Sequence, residues 1–164
     1  MTPDSIRVIS IVDGTSVDGP GLRTSIYLAG CSHHCRDCHN PETWDASAGE
    51  DMAFADILAR IEENDFDVTF SGGDPLFQVE RLMPLARIIH ESGRNIWLYT
   101  GYTFEDVLAS ERLSAILPYI DVMVDGPFET SLRDISLLFR GSSNQRLIDV
   151  RRSLAAGTVV EYQY

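Results

Sequence analysis

Short hydrophobic stretches alternate with amphipathic helical ones along the chain, and this alternation constrains the fold more than any other feature. Runs rich in β-branched and aromatic residues predict buried strands, and apolar residues at helical spacing predict helices between them. The predicted strands are residues 6–12, 23–28, 67–70, 96–99, 121–124 and 158–162, and the predicted helices are residues 52–63, 79–92 and a segment that Thr103 begins. Such a pattern is typical of a parallel sheet flanked by helices.

Chain length restricts how such a sheet can close. A complete (β/α)₈ barrel typically needs about 250 residues, and this chain has 164. We therefore predict an α/β fold with a mainly parallel sheet, arranged as a partial, open (β/α) barrel. Because no repeat, linker or low-complexity tract divides the sequence, we expect residues 1–164 to form a single minimal domain.

Glycine and polar residues follow four of the predicted strands. These breaks are the cysteine loop from Gly30, SGGDP at 71–75, TGY at 100–102 and DGP at 125–127. In parallel α/β folds the carboxyl ends of neighbouring strands converge on one site. Motifs that are far apart in sequence are therefore expected to share one pocket.

All three cysteines lie within the stretch GCSHHCRDCHN. An odd number of cysteines at this spacing is more typical of metal binding than of disulfides. Three interpretations are open: a zinc site in which His33, His34 or His39 joins Cys31, Cys35 and Cys38; an iron–sulfur cluster held by the three thiolates; and unligated thiols.

The C-x₃-C-x₂-C spacing favours the iron–sulfur cluster. Structural zinc sites usually use two separated ligand pairs, and the sequence has no distant second pair of cysteines. A [4Fe–4S] cluster usually takes four cysteines, so a cluster held by three leaves one iron open to a substrate or cofactor.

The charge balance is acidic. The formal net charge is −12, and every one of the 13 Lys+Arg residues is an arginine. An acidic surface disfavours nucleic acid and anionic membranes as partners, and it suits either solubility or a basic protein partner. Without lysine, Schiff-base catalysis and a P-loop are excluded. The sequence shows no long apolar run and no signal-peptide pattern at its start, so we expect a cytoplasmic protein.

The segment DGPGLRTSIYLAGCSHHCRDCHNPETW, residues 18–44, resembles the opening of radical S-adenosylmethionine (SAM) enzymes, in particular the activases of glycyl-radical enzymes. SGGDP resembles the glycine-rich SAM motif of these enzymes. WLYTGY at 97–102, VDGPF at 124–128 and FRGSSNQRLIDV at 139–150 narrow the resemblance to activating proteins of anaerobic (class III) ribonucleoside-triphosphate reductases. The fold that this resemblance implies is the partial barrel of the radical SAM type.

The resemblance also implies a mechanism. A reduced [4Fe–4S] cluster gives one electron to the sulfonium of SAM, which yields methionine and a 5′-deoxyadenosyl radical. That radical takes a hydrogen atom from a glycine of the large reductase subunit, which becomes a glycyl radical. The implied cofactors are the cluster and SAM, and the implied partners are the large subunit and a low-potential electron donor.

The site residues follow from the same motifs. Cys31, Cys35 and Cys38 are the expected cluster ligands, and His39 lies next to the last of them. Gly72 and Gly73 lack a Cβ, so their backbone lets a ligand approach closely, and Asp74 adds charge for the methionyl ammonium. The remaining expected contacts are Asn40, Thr100 and Asp125 with SAM, Asp125 with a cation near the SAM carboxylate, and Arg140 and Asn144 with SAM or the partner.

Two other functions stay open on the sequence alone. One is a small radical SAM enzyme that acts on a small molecule, and the other is a non-catalytic metal-binding interaction module. A plain turn would explain SGGDP by itself, and a surface ion pair would explain Arg140. The position of SGGDP directly after a buried strand favours ligand binding.

Overall fold

One seven-stranded sheet organises the protein, with the strand order β3-β1-β2-β4-β5-β6-β7. The computed structural model describes residues 3–31 and 45–163. The strands are β1 (Ser5–Thr15), β2 (Arg23–Leu28), β3 (Glu50–Ala53), β4 (Asp67–Gly72), β5 (Ile96–Tyr99), β6 (Val122–Asp125) and β7 (Arg146–Asp149). The helices are α1 (Phe54–Asn64), α2 (Val79–Glu91), α3 (Phe104–Ala109), α4 (Glu111–Ser114) and α5 (Val150–Ala156).

The centre of the sheet is parallel and its flanks are antiparallel. Strands β2, β4, β5 and β6 pair in parallel, whereas β1 pairs antiparallel with β2 and β3, and β7 pairs antiparallel with β6. The predicted α/β class is confirmed, and the sheet is open in its described part. The expectation of a mainly parallel sheet holds for these four central strands and not for the flanks.

The main core lies on one face of the sheet. Alternate strand residues such as Ile26, Val68, Ile96 and Met123 point into one apolar cluster, because successive side chains of a strand point to opposite faces. All five helices contribute buried side chains to this cluster. The helical layer therefore covers this face.

The opposite face carries a smaller cluster and buried polar groups. Trp97, Val122, Val124 and Leu147 form the cluster, to which no described helix contributes. Phe139 packs its ring edge-on against Trp97, with centroids 5.3 Å apart. This face, which we call the open face, is the inner surface that a partial barrel would present.

The last predicted strand is wrong. Residues 158–162 make one isolated bridge, Ile148↔Glu161, instead of a strand, and the true terminal strand is β7. The backbone N–H of Val160 is diverted to the Ser153 hydroxyl at 2.8 Å, so a regular ladder does not form. The short strand β3 was also unpredicted, and the predicted helix at 52–63 begins at Phe54 after it.

Two predicted helix boundaries are confirmed. The Thr103 hydroxyl caps α3 by accepting a hydrogen bond from the Asp106 N–H, and Gly93 follows the end of α2 with a φ of +88°. Pro84 lies inside α2 without ending it. The helices in the described parts of the chain are too short or too polar to cross a lipid bilayer.

Candidate functional site

Strand β2 delivers Cys31 into the interior at its carboxyl end. Only 7% of Cys31 is exposed. The turn between strand and cysteine depends on Gly30, whose φ is +95° and whose added Cβ would lie 2.3 Å from the Phe77 ring. The other expected residues of this loop, which are His33, His34, Cys35, Cys38, His39 and Asn40, lie outside the described residues.

Backbone hydrogen bonds join the SGGDP motif to the base of the cysteine loop. The Gly73 N–H donates to the Leu28 carbonyl at 3.0 Å, and the Asp74 N–H donates to the Gly30 carbonyl at 2.8 Å. These bonds continue the parallel ladder in which Leu28 is paired with Gly72. The structure therefore brings the chain that leads into Cys31 next to SGGDP, as strand-end convergence predicts.

Asp74, which follows β4, forms hydrogen bonds with the chain after β2 and with the chain after β5. Its carboxylate is 1% exposed and accepts hydrogen bonds from the Leu76 N–H, the Thr100 hydroxyl and the Gly101 N–H, each at 2.9 Å. Thr100 is itself buried, 6% exposed. The charge of Asp74 thus meets protein donors inside the fold, and contacts of Asp74 and Thr100 with SAM stay predictions.

Gln78 fastens β1 to the end of β2. Its side-chain amide donates to the carbonyls of Arg7 and Ala29, both at 2.9 Å, and its oxygen accepts from the Arg7 N–H at 3.0 Å. The amide therefore bridges the two strands beside the remaining bond from the Ala29 N–H to the Arg7 carbonyl, 3.2 Å long, where the chain turns towards Cys31. No sequence motif marked this residue, although it follows SGGDP by three positions.

Replacing Gln78 by methionine is expected to destabilise the protein by about 2 kcal/mol, because the Arg7 N–H and the Ala29 carbonyl lose a buried partner. The measurement is urea unfolding followed by circular dichroism. Arg87→Met is the matched control, since the Arg87–Glu91 ion pair is 63% and 61% exposed and contributes little. Equal midpoints for the two variants would contradict the structural role of Gln78.

Asp125 is saturated by protein donors. It is 1% exposed, and its two oxygens accept from the Phe104 N–H at 2.8 Å, the Arg146 N–H at 3.2 Å and two guanidinium nitrogens of Arg146 at 3.1 and 2.5 Å. Hydrogen bonds to Asp125 and Glu105 raise the pKa of Arg146. A cation at Asp125 would have to displace this guanidinium, so that contact stays a prediction.

Arg140 and Asn144 each leave one buried polar atom unused. Arg140 donates through Nη1 to the Gln145 carbonyl at 3.0 Å, and Asn144 donates to the Pro127 carbonyl at 2.8 Å. Arg140 Nε and Asn144 Oδ1 are buried and have no hydrogen-bond partner. Buried polar atoms of this kind are rare without a ligand or water, which suits the expected binding role of both residues.

A cavity of about 640 Å³ opens on the open face. Tyr27, Ser71 and Tyr99 line it from the ends of β2, β4 and β5, and Arg140 lines it from the segment between β6 and β7. Asp18 is the other charged residue of its described lining. The volume lies within the range of small-molecule sites, and Ser71 places the cavity beside the glycines of SGGDP.

The loop of DGPG closes one side of this cavity. The Tyr27 hydroxyl donates to Asp18 Oδ2 at 2.5 Å, and burial together with this carboxylate raises the pKa of Tyr27 well above its usual value. The Thr69 hydroxyl donates a hydrogen bond to the Asp18 carbonyl at 2.8 Å. Asp18 and Tyr27 lie within the segment that carries the family resemblance, but their pairing could not be predicted from spacing.

Arg23 supports the same loop from beneath. It is 1% exposed, donates to Thr69 Oγ1 and the Val68 carbonyl, both at 2.8 Å, and stacks 5.6 Å from the centre of the Trp97 ring. Burial lowers the pKa of its guanidinium. Gly19 completes this packing, since a Cβ there would lie 2.7 Å from Arg23 Cδ.

Comparison with known proteins decides the family. Residues 17–148 match the model of a 4Fe-4S single cluster domain. The anaerobic ribonucleoside-triphosphate reductase-activating proteins of Haemophilus influenzae and Vibrio cholerae are 37% and 39% identical to this chain, each over 141 residues, 79% of this chain and 88% of the relative. The protein of Escherichia coli K12 is 36% identical, over 79% of this chain and 89% of its own length.

The chain belongs to the family of anaerobic ribonucleoside-triphosphate reductase-activating proteins. Membership extends to a bacteriophage, since the relative of phage T4 is 34% identical over 80% of this chain and 86% of its own length. Among solved structures, QueE from Escherichia coli is similar, with a TM-score of 0.51 and 20% identity over 60% of this chain and 53% of QueE. That likeness supports the α/β fold alone.

Of the expected cluster ligands, the structure describes Cys31. Cys31 supplies a buried soft thiol at a strand end, which is the ligand type that such clusters take. Within residues 3–31 and 45–163, no other group of three or more metal-binding side chains is present. The cavity has aromatic side chains, one carboxylate and one guanidinium in its described lining, which suits a charged aromatic ligand.

Proposed function

We propose that this activating protein cleaves SAM reductively and passes the resulting radical to a glycine of the anaerobic ribonucleotide reductase. The cluster, when bound, supplies one electron that breaks the carbon–sulfur bond of the sulfonium. Cys31, Cys35 and Cys38 would hold the cluster. The proposal is carried by one observation: backbone hydrogen bonds of 2.8 and 3.0 Å join SGGDP to the chain leading into Cys31.

The chain's own residues orient SAM and limit its contact with water. Gly72 ends β4 and Gly73 follows it beside the chain that leads into Cys31, and Asp74 fixes their backbone through its bonds to the β5 end. Arg140 lines the cavity, where its guanidinium can meet the carboxylate of SAM. The aromatic rings of Tyr27 and Tyr99 line the cavity, where they can pack against the adenosine.

The partners follow from the reaction. The large subunit of the anaerobic ribonucleoside-triphosphate reductase supplies the glycine, and a low-potential donor supplies the electron. Atoms and electrons balance: one electron and SAM give methionine and the 5′-deoxyadenosyl radical, which becomes 5′-deoxyadenosine when it takes the glycine hydrogen atom.

Anaerobic reconstitution tests the proposal. Purified protein is loaded with iron and sulfide and is then mixed with SAM, dithionite and the large subunit. We expect a brown protein with about four irons per chain, as the matched domain requires, and a glycyl radical signal in electron paramagnetic resonance. A colourless protein that binds stoichiometric zinc and forms no 5′-deoxyadenosine would refute the proposal.

A further inference from the structure

The segment between β6 and β7 contains Ile135, the most exposed large hydrophobic side chain in the described residues. Ile135 is 91% exposed, and Leu132 and Leu138, three positions before and after it, are 39% and 53% exposed. Exposed apolar groups that cluster near a cavity are typical of protein interaction sites. We call Leu132, Ile135 and Leu138 the apolar tip.

The apolar tip is held in place by the protein beneath it. The Tyr99 hydroxyl donates to the Phe139 carbonyl at 2.5 Å, and the Ser143 N–H donates to the Leu132 carbonyl at 2.9 Å. Asp134 turns the chain by accepting from the N–H and hydroxyl of Ser136 at 2.9 and 2.5 Å. Because the backbone is fixed, binding there would cost little ordering entropy.

The tip belongs to the same segment as part of the wall of the open-face cavity. Leu137 and Phe139, which flank Leu138, line that cavity. Val12 and Val17 line it from the β1 side and are themselves 43% and 69% exposed. The cavity is therefore lined by exposed valines on the β1 side and by the segment that carries the apolar tip on another.

The proposed reaction decides what covers this cavity. A hydrogen atom passes between carbons only when they are in contact, so the glycine must enter the cavity on its own polypeptide. We propose that the apolar tip, with Val12 and Val17, is the docking surface for the glycine-bearing segment of the reductase, an extended peptide with apolar side chains beside the glycine. This inference rests on the proposed function.

The chemistry of the surface also predicts how docking responds to salt. The chain has a net charge of −12, and a contact driven by that charge would weaken steeply as salt rises. A contact anchored by Leu132, Ile135 and Leu138 depends on apolar burial instead. We therefore expect the affinity for the large subunit to change little between low and moderate salt.

The test compares Ile135→Asp with Ile88→Asp. Ile88 is 43% exposed on α2, in the helical layer on the other side of the sheet, so it controls for the added charge. We expect Ile135→Asp to weaken binding of the large subunit at least about tenfold, as loss of an interface anchor does, and to lower the glycyl radical yield. Ile88→Asp should bind as the parent protein does.

Formation of 5′-deoxyadenosine without the large subunit separates the proposed function from the proposed docking surface. If the parent protein forms none, the proposed function fails; if Ile135→Asp forms it normally but docks poorly, the docking surface is supported. Unchanged affinity of Ile135→Asp, or an affinity that collapses with salt in the parent protein, overturns the docking surface. So does a change of oligomeric state in Ile135→Asp, which would show that the tip joins copies of this chain.

Discussion

Cys31→Ala is expected to reduce 5′-deoxyadenosine formation to background. Three thiolates are the fewest that hold a cluster with one open iron, so the loss of one leaves no spare ligand in a chain that has three cysteines. The fold should survive, because a buried cysteine replaced by alanine costs about 1 kcal/mol. The measurements are iron content after anaerobic reconstitution, 5′-deoxyadenosine yield and thermal unfolding.

Cys35→Ala and Cys38→Ala should behave like Cys31→Ala, whereas His90→Ala should retain both iron and activity. His90 lies in α2, so it controls for the loss of a potential metal ligand outside the loop. Normal SAM cleavage by any one of the three cysteine variants would falsify the assignment of ligands. Loss of iron together with a collapsed circular dichroism spectrum would instead indicate a structural metal.

Gly72→Ala is expected to destabilise the protein by about 4 kcal/mol or more, since a strained φ and an overpacked site each cost a few kcal/mol. Gly72 has a φ of +110°, and an added Cβ would lie 2.4 Å from the Leu28 nitrogen and 2.5 Å from its oxygen. Those atoms belong to the backbone of β2 and cannot move aside without parting β2 from β4. Denaturant unfolding of the purified variant measures the effect.

Gly93→Ala is the control that isolates the steric part of this loss. Gly93 also has a positive φ, +88°, but an added Cβ there meets nothing within 4 Å. Its replacement should cost only the strain of the backbone, about 1 kcal/mol. If the two alanine variants unfold at the same denaturant concentration, the close approach of β4 to Leu28 does not constrain residue 72.

The sequence predicted the central strands well because burial on both sides makes them short and uniformly hydrophobic. Strand β2 was predicted at its observed bounds, and β5 likewise. Outside the central strands, one strand was missed and one was predicted where none forms, for opposite reasons. Strand β3 has the sequence EDMA, which has little β propensity, whereas residues 158–162 have high propensity but lose an N–H to Ser153.

The proximity of the cysteine loop to SGGDP was predictable from topology, and the side-chain partners were not. Strand-end convergence needs only the order of strands. The saturation of Asp125 by Arg146 depends on β7 pairing antiparallel with β6, in a register that places Asp125 opposite Arg146. The roles of Gln78 and Asp18 likewise depend on contacts across 71 and 9 positions, which no local pattern encodes.

In the described residues the helices cover one side of the sheet, and the cavity of about 640 Å³ lies on the other side. If the proposed radical forms in this cavity, it would attack nearly any C–H bond that it meets, so a cavity open to solvent would lose it to buffer components or to the protein itself. We expect binding of the reductase to close the cavity. Protection of the radical would then be a property of the complex and not of either protein alone.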